Sequence, residues 1–230
     1  MLNILLTGST GQIGWELTRT LMPLGQVVIP DRTQFDLARP QLLGAIVDTM
    51  RPDVIINAAA YTAVDQAEQE PDLALAINAT APDELAKAAR RHGALLVHYS
   101  TDYVFDGKKP GAYSEQDALN PASVYGRSKQ AGEEAVRASG ADHLIFRTSW
   151  VFAARGKNFL RTILRLAGER EELRIVADQF GAPTWARLVA EVTALALQQD
   201  FVRRKNKEFE SGTFNLTAAG ETSWHGFAGA

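Results

Sequence analysis

The stretch NILLTGSTGQIG, residues 3–14, decides how this chain is expected to fold. A short apolar run ends at Gly8, and Gly8, Gly11 and Gly14 follow one another at intervals of three residues. An amphipathic segment begins near Gln12, so the glycines occupy a predicted turn between a strand and a helix. Such glycines let backbone amides at a helix N-terminus approach a pyrophosphate. The stretch therefore predicts a nucleotide-binding turn, with a strand-to-helix turn that holds no ligand as the alternative.

Apolar runs alternate with longer amphipathic segments along most of the chain. The runs are NILLTG (3–8), VVIPD (27–31), DVIINAAA (53–60), ALLVHYST (94–101), HLIFRTS (143–149) and LRIV (173–176). The helix candidates between them span residues 12–24, 40–50, 82–92, 123–139 and 158–169. Strands that are apolar on both faces belong to parallel sheets covered on each side. The alternation predicts an α/β fold, a doubly wound parallel sheet of the Rossmann type.

The alternation loosens after about Trp150, where segments such as VADQFGAPTWARL (176–188) indicate turns and loops joined to a helix. We expect a smaller substrate-binding annex over the carboxyl edge of the sheet. The predicted division is an NAD(P)-binding Rossmann domain at 1–148 and 188–215, with the annex at 149–187 and 216–230. The ending TSWHGFAGA has no helix stop signal except a glycine, so the annex is expected to be incomplete.

Composition narrows the class of protein. The chain of 230 residues is 46% hydrophobic with a formal net charge of −3, and no basic surface for nucleic acid or an anionic membrane stands out. It contains no cysteine, which excludes disulfides and thiolate chemistry and fits a reducing compartment. No apolar stretch approaches the roughly 20 residues that span a bilayer, and the N-terminal apolar run has no basic leader. We expect a cytoplasmic protein that binds neither nucleic acid nor membrane.

The three-residue spacing of the glycines differs from the GxGxxG of many dehydrogenases. It resembles the spacing of the short-chain dehydrogenase/reductase superfamily, particularly its extended branch. The resemblance implies NADH or NADPH as the cofactor, held by the glycine turn and by residues after the next strands. The implied cofactor-binding residues are Gly8, Thr10, Gly11, Gln12, Ile13, Gly14, Asp31, Arg32, Asp36, Leu37, Ala58, Ala59, Ala60, Thr62, Tyr125 and Lys129.

Several of these positions have a second interpretation. Asp31 suits the hydroxyls of an adenosine ribose whereas Arg32 suits a 2′-phosphate, so the sequence does not choose between NADH and NADPH. Asp36 resembles the aspartate of the superfamily that lies beside the adenine, but it would also suit the cap of a helix starting near Pro40. The small residues 58–60 would let a cofactor lie close to the sheet edge, or would allow helix-sheet packing.

A tyrosine stands four residues before a lysine in SVYGRSK, residues 123–129. Residues at i and i+4 share a helix face, so the Lys129 ammonium can lie beside Tyr125 and favour the phenolate. Thr101 ends the fourth predicted strand, where ligands bind in open parallel sheets. In the superfamily such a threonine, tyrosine and lysine form the catalytic set. The set implies Tyr125 as proton donor, Thr101 as hydrogen-bond donor to the carbonyl oxygen, and Lys129 as a ligand of the nicotinamide ribose.

The resemblance narrows to the dTDP-4-dehydrorhamnose reductases. NAAAYTAVDQAEQEP, HYSTDYVFDG, YGRSKQAGE, FRTSWVF, DQFGAPT and TFNLTAAGETSW all resemble segments of that family, in its order, from residue 1 to about 225. The family reduces the 4-keto group of a dTDP-6-deoxy sugar to give dTDP-L-rhamnose, a precursor of surface polysaccharides. A residue-by-residue match implies that Val64, Asp102, Tyr103 and Trp150 face this substrate, together with Thr101 and Tyr125. The alternative for Trp150 is a core aromatic.

Two other functions stay open at this point. The β regulatory subunit of methionine adenosyltransferase resembles these reductases and binds cofactor without acting as a reductase, although the intact threonine, tyrosine and lysine argue against that role here. An epimerase or dehydratase of another nucleotide sugar is the second alternative. Some members of the family dimerise through a divalent cation held by carboxylates. We therefore expect a possible homodimer, but Glu16 is only one matching ligand and no metal site is assigned.

Overall fold

The computed structural model describes residues 1–230. Its strands are β1 Leu2–Thr7, β2 Gly25–Val28, β3 Val54–Asn57, β4 Leu95–Thr101, β5 His143–Thr148, β6 Val151–Phe152, β7 Phe180–Gly181, β8 Thr184–Trp185, β9 Gly212–Asn215 and β10 Thr222–Ser223. Its α-helices are α1 Gln12–Thr20, α2 Leu43–Met50, α3 Val64–Ala67, α4 Pro71–Leu75, α5 Ala81–His92, α6 Val124–Ala138, α7 Phe159–Glu169, α8 Ala186–Asn206 and α9 Trp224–Gly229. Single turns of 3₁₀-helix lie at Pro40–Leu42 and Asp102–Val104, and a π-helical turn at Ala76–Thr80 joins α4 to α5. No helix combines the length and the apolar character needed to cross a bilayer.

Six parallel strands form the main sheet in the order β2–β1–β3–β4–β5–β9. The direction in which successive strands are added reverses between β1 and β3. Ligands in open α/β sheets bind at such a point, outside the carboxyl ends of the strands. The predicted doubly wound α/β fold is confirmed, and its topology places the expected site at the ends of β1, β3 and β4.

The side chains of the central strands alternate between two cores. Leu5, Ile55 and Leu96 pack on one face, against α2, α5 and α6. Leu6 and Val97 pack on the other face, against α1 and α8. Because both faces are covered, every residue of β3 and β4 is buried, which explains why both strands begin with an apolar run.

Two predicted elements differ from the structure. Residues 173–176 do not form a strand, because this short apolar run has no neighbouring strand with which to pair. The sixth strand of the main sheet is instead β9, which pairs with β5. The predicted helix over 12–24 ends at Thr20 and continues as a turn. The division into a Rossmann domain and an annex stays a prediction.

Helix α6, which carries Tyr125 and Lys129, packs unusually close to its neighbours. Its first turn is capped by Ser123, whose hydroxyl accepts a hydrogen bond from the Gly126 backbone N–H at 3.1 Å. A Cβ atom on Gly126 would lie 2.2 Å from the carbonyl oxygen of Tyr103, and one on Gly132 would lie 2.1 Å from that of Asn78. These glycines let α6 approach the backbone at the end of β4 and the π-helical turn, so they fix the height of the helix over the sheet.

A buried ion pair fixes the other end of α6 to β5. Arg147 donates to Glu133 through Nε at 2.8 Å and through Nη2 at 2.7 Å, a bidentate arrangement. Glu133 is fully buried and Arg147 is 4% exposed. Burial raises the pKa of Glu133, but the hydrogen bonds and charge of Arg147 outweigh it and hold the pKa below its ordinary value. The pair therefore joins the helix to the sheet as a charged unit.

We expect Glu133→Ala to lower the free energy of unfolding by about 3–5 kcal/mol, because it leaves the Arg147 guanidinium buried without its counter-ion. Urea unfolding of both proteins measures the difference. Glu134→Ala is the matched control, since this adjacent carboxylate is exposed and bonds only the Gln130 side chain. The control should change stability by less than about 0.5 kcal/mol. Equal losses in the two variants would show that the ion pair does not hold α6.

Candidate active site

An open cleft with a volume of about 1060 Å³ lies at the carboxyl ends of β1, β3, β4 and β5. All the predicted site residues except Gly14 line this cleft. They are Gly8, Thr10, Gly11, Gln12, Ile13, Asp31, Arg32, Asp36, Leu37, Ala58, Ala59, Ala60, Thr62, Val64, Thr101, Asp102, Tyr103, Tyr125, Lys129 and Trp150. One continuous surface therefore joins the glycine turn to the tyrosine and the lysine.

The glycine turn leaves no room for side chains. Gly8 has a φ of 71°, and a Cβ atom there would lie 2.5 Å from the backbone of Ala58 and Ala59. A Cβ atom on Gly14 would lie 2.0 Å from the Gly8 carbonyl oxygen, so Gly14 supports the turn from behind and does not face the cleft. Gly11 precedes α1 and presents the helix N-terminus to the cleft. A backbone that excludes Cβ atoms, beside a helix N-terminus, fits the pyrophosphate of a dinucleotide.

The loop after β2 presents an acidic and a basic side chain in different ways. One oxygen of Asp31 accepts hydrogen bonds from the Thr33 N–H, the Thr33 hydroxyl and the Gln34 N–H. These bonds lower the pKa of Asp31. Arg32 extends into solvent with its side chain 83% exposed, 3.8 Å from Asp36. Asp31 therefore shapes its own turn, whereas Arg32 keeps its guanidinium largely free.

Asp36 does not cap a helix. Its Oδ1 accepts a hydrogen bond from the Ala38 N–H at 3.0 Å, and the residue that precedes the turn of 3₁₀-helix is Arg39. The alternative prediction for Asp36 is therefore wrong, because the carboxylate closes a turn two residues short of the helix.

Asn78 connects the loop after β3 to α6. It accepts a hydrogen bond from the Tyr61 N–H at 2.9 Å and donates to the Tyr61 carbonyl oxygen and to the Ser128 hydroxyl, both at 3.0 Å. Asn78 is 1% exposed, so these bonds form without competition from water. They hold the alanine run beside the helix that bears the tyrosine.

Tyr125 and Thr101 meet at the end of β4. Tyr125 is buried, which raises the pKa of its phenol, and hydrogen bonding to Thr101 offsets part of that increase. The Thr101 hydroxyl also donates to Asp102 Oδ1 at 3.0 Å and accepts from the Tyr103 N–H at 3.2 Å. The rings of Tyr103 and Tyr125 contact edge to face, with centroids 5.5 Å apart. The phenol is therefore a protonated group held between two neighbours.

The Lys129 side chain differs from its expected arrangement. Its Nζ donates to the carbonyl oxygen of Tyr99 at 2.6 Å and lies 3.3 Å from His98 Nε2, and none of its hydrogen bonds goes to Tyr125. Burial lowers the pKa of Lys129 to about 8, with the charge of Glu133 acting in the opposite direction. The expected lowering of the Tyr125 pKa by Lys129 is therefore absent from this structure, because the ammonium is turned toward the sheet.

Asp102 lies beside Thr101 in the cleft. Burial raises the pKa of its carboxyl to about 6, with hydrogen bonds from Thr101 and two backbone N–H groups acting in the opposite direction. Burial raises the pKa of Tyr103, and the charge of Asp102 adds to that increase. Val64 packs near Tyr125 in a small apolar cluster with Ala67. Val64, Thr101 and Tyr103 thus lie around the tyrosine, with Asp102 beside Thr101.

Trp150 adopts a left-handed backbone conformation with a φ of 46°. Its ring stacks on Trp224 with centroids 3.5 Å apart and an interplanar angle of 9°. Gly181 lies against it, since a Cβ atom there would be 2.5 Å from the indole. Trp150 is half-buried and lines the cleft, so it is not a core aromatic.

Sequence reasoning missed several residues of this region. His98 and Asn57 lie beneath the cleft, Thr7 lines it at the end of β1, and Glu133 anchors α6. Gly156 and Lys157 line the cleft from the loop before α7. The available signal was a polar residue within each apolar run, at the end of β1 and β3 and in the middle of β4, but the register between strands is needed to show that these residues meet.

No group of three or more histidine, cysteine, aspartate or glutamate side chains is placed to hold a metal ion. Glu16 instead lies 3.8 Å from Arg19 on the same helix.

A family model described as the RmlD substrate binding domain matches residues 2–230. The dTDP-4-dehydrorhamnose reductase of Burkholderia thailandensis is 58% identical over 229 residues, which are 100% of this chain and 77% of that protein. The protein of the same name from Escherichia coli K12 is 50% identical over 231 residues, covering 99% of this chain and 76% of its own length.

Solved structures of the same kind are also similar. The dTDP-4-dehydrorhamnose reductase of Bacillus anthracis, determined in complex with NADP, has a TM-score of 0.90 and 38% identity. The similarity covers 100% of this chain and 79% of that one. The match over nearly the whole chain, at this level of identity, shows that the chain belongs to the family of the RmlD substrate binding domain.

Proposed function

We propose that this chain reduces the 4-keto group of dTDP-4-dehydrorhamnose to give dTDP-L-rhamnose, with NADPH as the reductant. The observation that carries the proposal is the single cleft that joins the glycine turn to Thr101, Tyr125 and Lys129. Relatives named as this reductase, at 50–58% identity, support the substrate. A regulatory subunit would not need these three residues in one cleft, so that alternative is not favoured.

A dinucleotide held at the glycine turn would supply the hydride that C4 of the sugar receives. Tyr125 donates its phenolic proton to the oxygen on C4, so the carbonyl becomes a hydroxyl with one hydride and one proton added. The Thr101 hydroxyl lies beside the phenol, and its single proton, which bonds Asp102 Oδ1 in this structure, would turn to the same oxygen as negative charge develops there. Lys129 lines the same cleft as Tyr125 and would bind the nicotinamide ribose.

The loop after β2 supports NADPH over NADH. In NADH-binding proteins a carboxylate at this position accepts a hydrogen bond from the ribose 2′-hydroxyl, but one oxygen of Asp31 is already bonded three times within its own turn, which leaves only the other oxygen for a ribose. Arg32 keeps its guanidinium free at the cleft edge, where it suits the extra phosphate of NADPH. The similar Bacillus anthracis structure with NADP agrees with this preference.

A dTDP-sugar is thus the proposed small-molecule partner and the cytoplasm the proposed compartment. That the protein forms a homodimer, and that it does not bind nucleic acid, stay predictions. The division of the chain into a Rossmann domain and an annex is likewise proposed, with the cleft between its two parts.

We expect Tyr125→Phe to lower kcat for dTDP-4-dehydrorhamnose by about a hundredfold or more, because the ring keeps its packing but loses the proton. NADPH oxidation measures turnover, and fluorescence titration measures cofactor binding, which should stay within about threefold. Tyr113→Phe is the matched control, since its hydroxyl bonds Asp106 outside the cleft. Wild-type turnover in Tyr125→Phe would show that another group donates the proton.

We expect Arg32→Ala to raise the Kd of NADPH by about tenfold while changing the Kd of NADH by less than about twofold, because only NADPH carries the 2′-phosphate. The two cofactors are titrated separately against each protein. Arg39→Ala is the control, since Arg39 is exposed but lies outside the cleft. Parallel weakening of both cofactors by Arg32→Ala would contradict the proposed contact.

A further inference from the structure

A row of polar side chains crosses the buried centre of the sheet beneath the cleft. The Thr7 hydroxyl donates to Asn57 Oδ1 at 2.8 Å, and Asn57 Nδ2 lies 3.2 Å from His98 Nδ1. His98 Nε2 lies 3.3 Å from Lys129 Nζ, which also donates to the Tyr99 carbonyl oxygen. The first four side chains are each at most 4% exposed. The row is therefore almost entirely removed from bulk water, and its two ends, Thr7 and Lys129, line the cleft.

Strand register produces this row. Thr7 on β1 is the partner of Asn57 on β3, and Asn57 is the partner of His98 on β4. Partners in adjacent strands present their side chains on the same face. The three residues continue the face of the sheet that packs against α6, so the row ends where Lys129 descends from that helix.

His98 is a neutral imidazole. Burial, with the nearby charge of Lys129, lowers the pKa of His98 well below its ordinary value. A neutral imidazole has one N–H donor and one acceptor nitrogen. If His98 Nε2 accepts a hydrogen bond from Lys129, His98 Nδ1–H therefore donates to Asn57. If His98 Nε2–H donates to Lys129, His98 Nδ1 accepts from Asn57.

Two arrangements of protons satisfy the whole row. When Lys129 is an amine, His98 Nε2–H donates to Lys129 Nζ and Asn57 Nδ2 donates to His98 Nδ1. The Thr7 hydroxyl then donates to Asn57 Oδ1. The Asn57 amide has this orientation in the structure. When Lys129 is an ammonium, Nε2 accepts its proton and Nδ1–H donates to the amide oxygen of Asn57, which is then turned over. The freed Asn57 amide nitrogen donates to the Thr7 hydroxyl, because a hydroxyl both donates and accepts. Each arrangement leaves no polar atom of the row without a partner.

We propose that His98 is a positioning residue for Lys129. Together with Asn57 and Thr7 it forms a hydrogen-bond row whose direction reverses, so that Lys129 keeps one position as an ammonium and as an amine. The role assigned to Lys129 in catalysis rests on the proposed function, but the reversal of the row does not.

Both charge states of Lys129 are accessible near neutral pH. Burial lowers its pKa to about 8, against the field of Glu133. The titratable groups that face it are His98 from β4 and Glu133 and Tyr125 from α6. As an ammonium, Lys129 has three donor hydrogens, of which the Tyr99 carbonyl and His98 take two. The third is left for a ligand in the cleft that Lys129 lines.

The row makes a direct spectroscopic prediction. Long-range ¹⁵N–¹H correlation spectra distinguish the two tautomers of each of the four histidines, and the His98 signals are identified by their loss in His98→Gln. From about pH 6.5 to about pH 9.5 we expect His98 to change from the Nδ1–H to the Nε2–H tautomer without becoming an imidazolium. In Lys129→Met the tautomer should not change with pH. One unchanging tautomer in the wild-type protein, or the same change in Lys129→Met, would overturn the proposal.

Two substitutions separate positioning from packing. Glutamine at position 98 places a polar atom where Nε2 stands and keeps the contact with Lys129, whereas asparagine replaces only Nδ1 and loses it. We expect His98→Asn to lower kcat for sugar reduction by about tenfold and to move the alkaline limb of the pH profile down by about one unit, because the buried ammonium loses an acceptor. His98→Gln should stay within about threefold of the wild type with an unmoved limb.

The outcomes of the two experiments are independent. Equal loss in both variants, or wild-type pH profiles in both, would show that His98 only fills space. If the wild-type protein does not reduce the sugar, the proposed function fails. The tautomer measurement still tests whether the direction of the hydrogen-bond row reverses.

Discussion

The burial of a lysine side chain beneath the cleft is the constraint on which the active site depends. An ammonium removed from water must find hydrogen-bond acceptors, because an unpaired buried charge is strongly destabilising. At 2% exposure, Lys129 has a backbone carbonyl and an imidazole at the middle of β4. These contacts require α6 to lie at a fixed height and rotation over the sheet. Tyr125, one turn earlier on the same face of the helix, is thereby set beside Thr101 at the end of β4.

Helix α6 meets this constraint through two kinds of contact. Gly126 and Gly132 remove the side chains that would keep the helix away from neighbouring backbone. The charge of Glu133, one turn beyond Lys129, is balanced by the bidentate hydrogen bond from Arg147 on β5. A helix with two buried charges of opposite sign on one face packs only where the sheet supplies both partners, so its position is more narrowly defined than apolar packing alone would make it.

The sequence predicts the parts of the structure that depend on local patterns. The glycine turn could be predicted because position 8 admits only a residue without a Cβ atom. The central strands could be predicted from their apolar runs. The prediction of a strand at 173–176 was wrong because an apolar segment of four residues becomes a strand only beside another strand. The equally short β9 does pair with β5. Helix periodicity placed Lys129 on the face of Tyr125 but could not choose its partner. That choice depends on His98, which meets α6 through strand register that a single sequence does not display.

The polar row beneath the cleft also explains how a parallel sheet tolerates such residues at its centre. A leucine in place of His98 would bury well, but it would leave the ammonium with a single acceptor inside the sheet. A charged histidine would place two cations 3.3 Å apart. A neutral imidazole avoids both the lost acceptor and the close pair of cations. Its second nitrogen then needs a neighbour that can act as donor or as acceptor, which an amide can do and a carboxylate cannot. The residue types along the row therefore follow from one requirement, that the lysine be held whether or not it carries a proton.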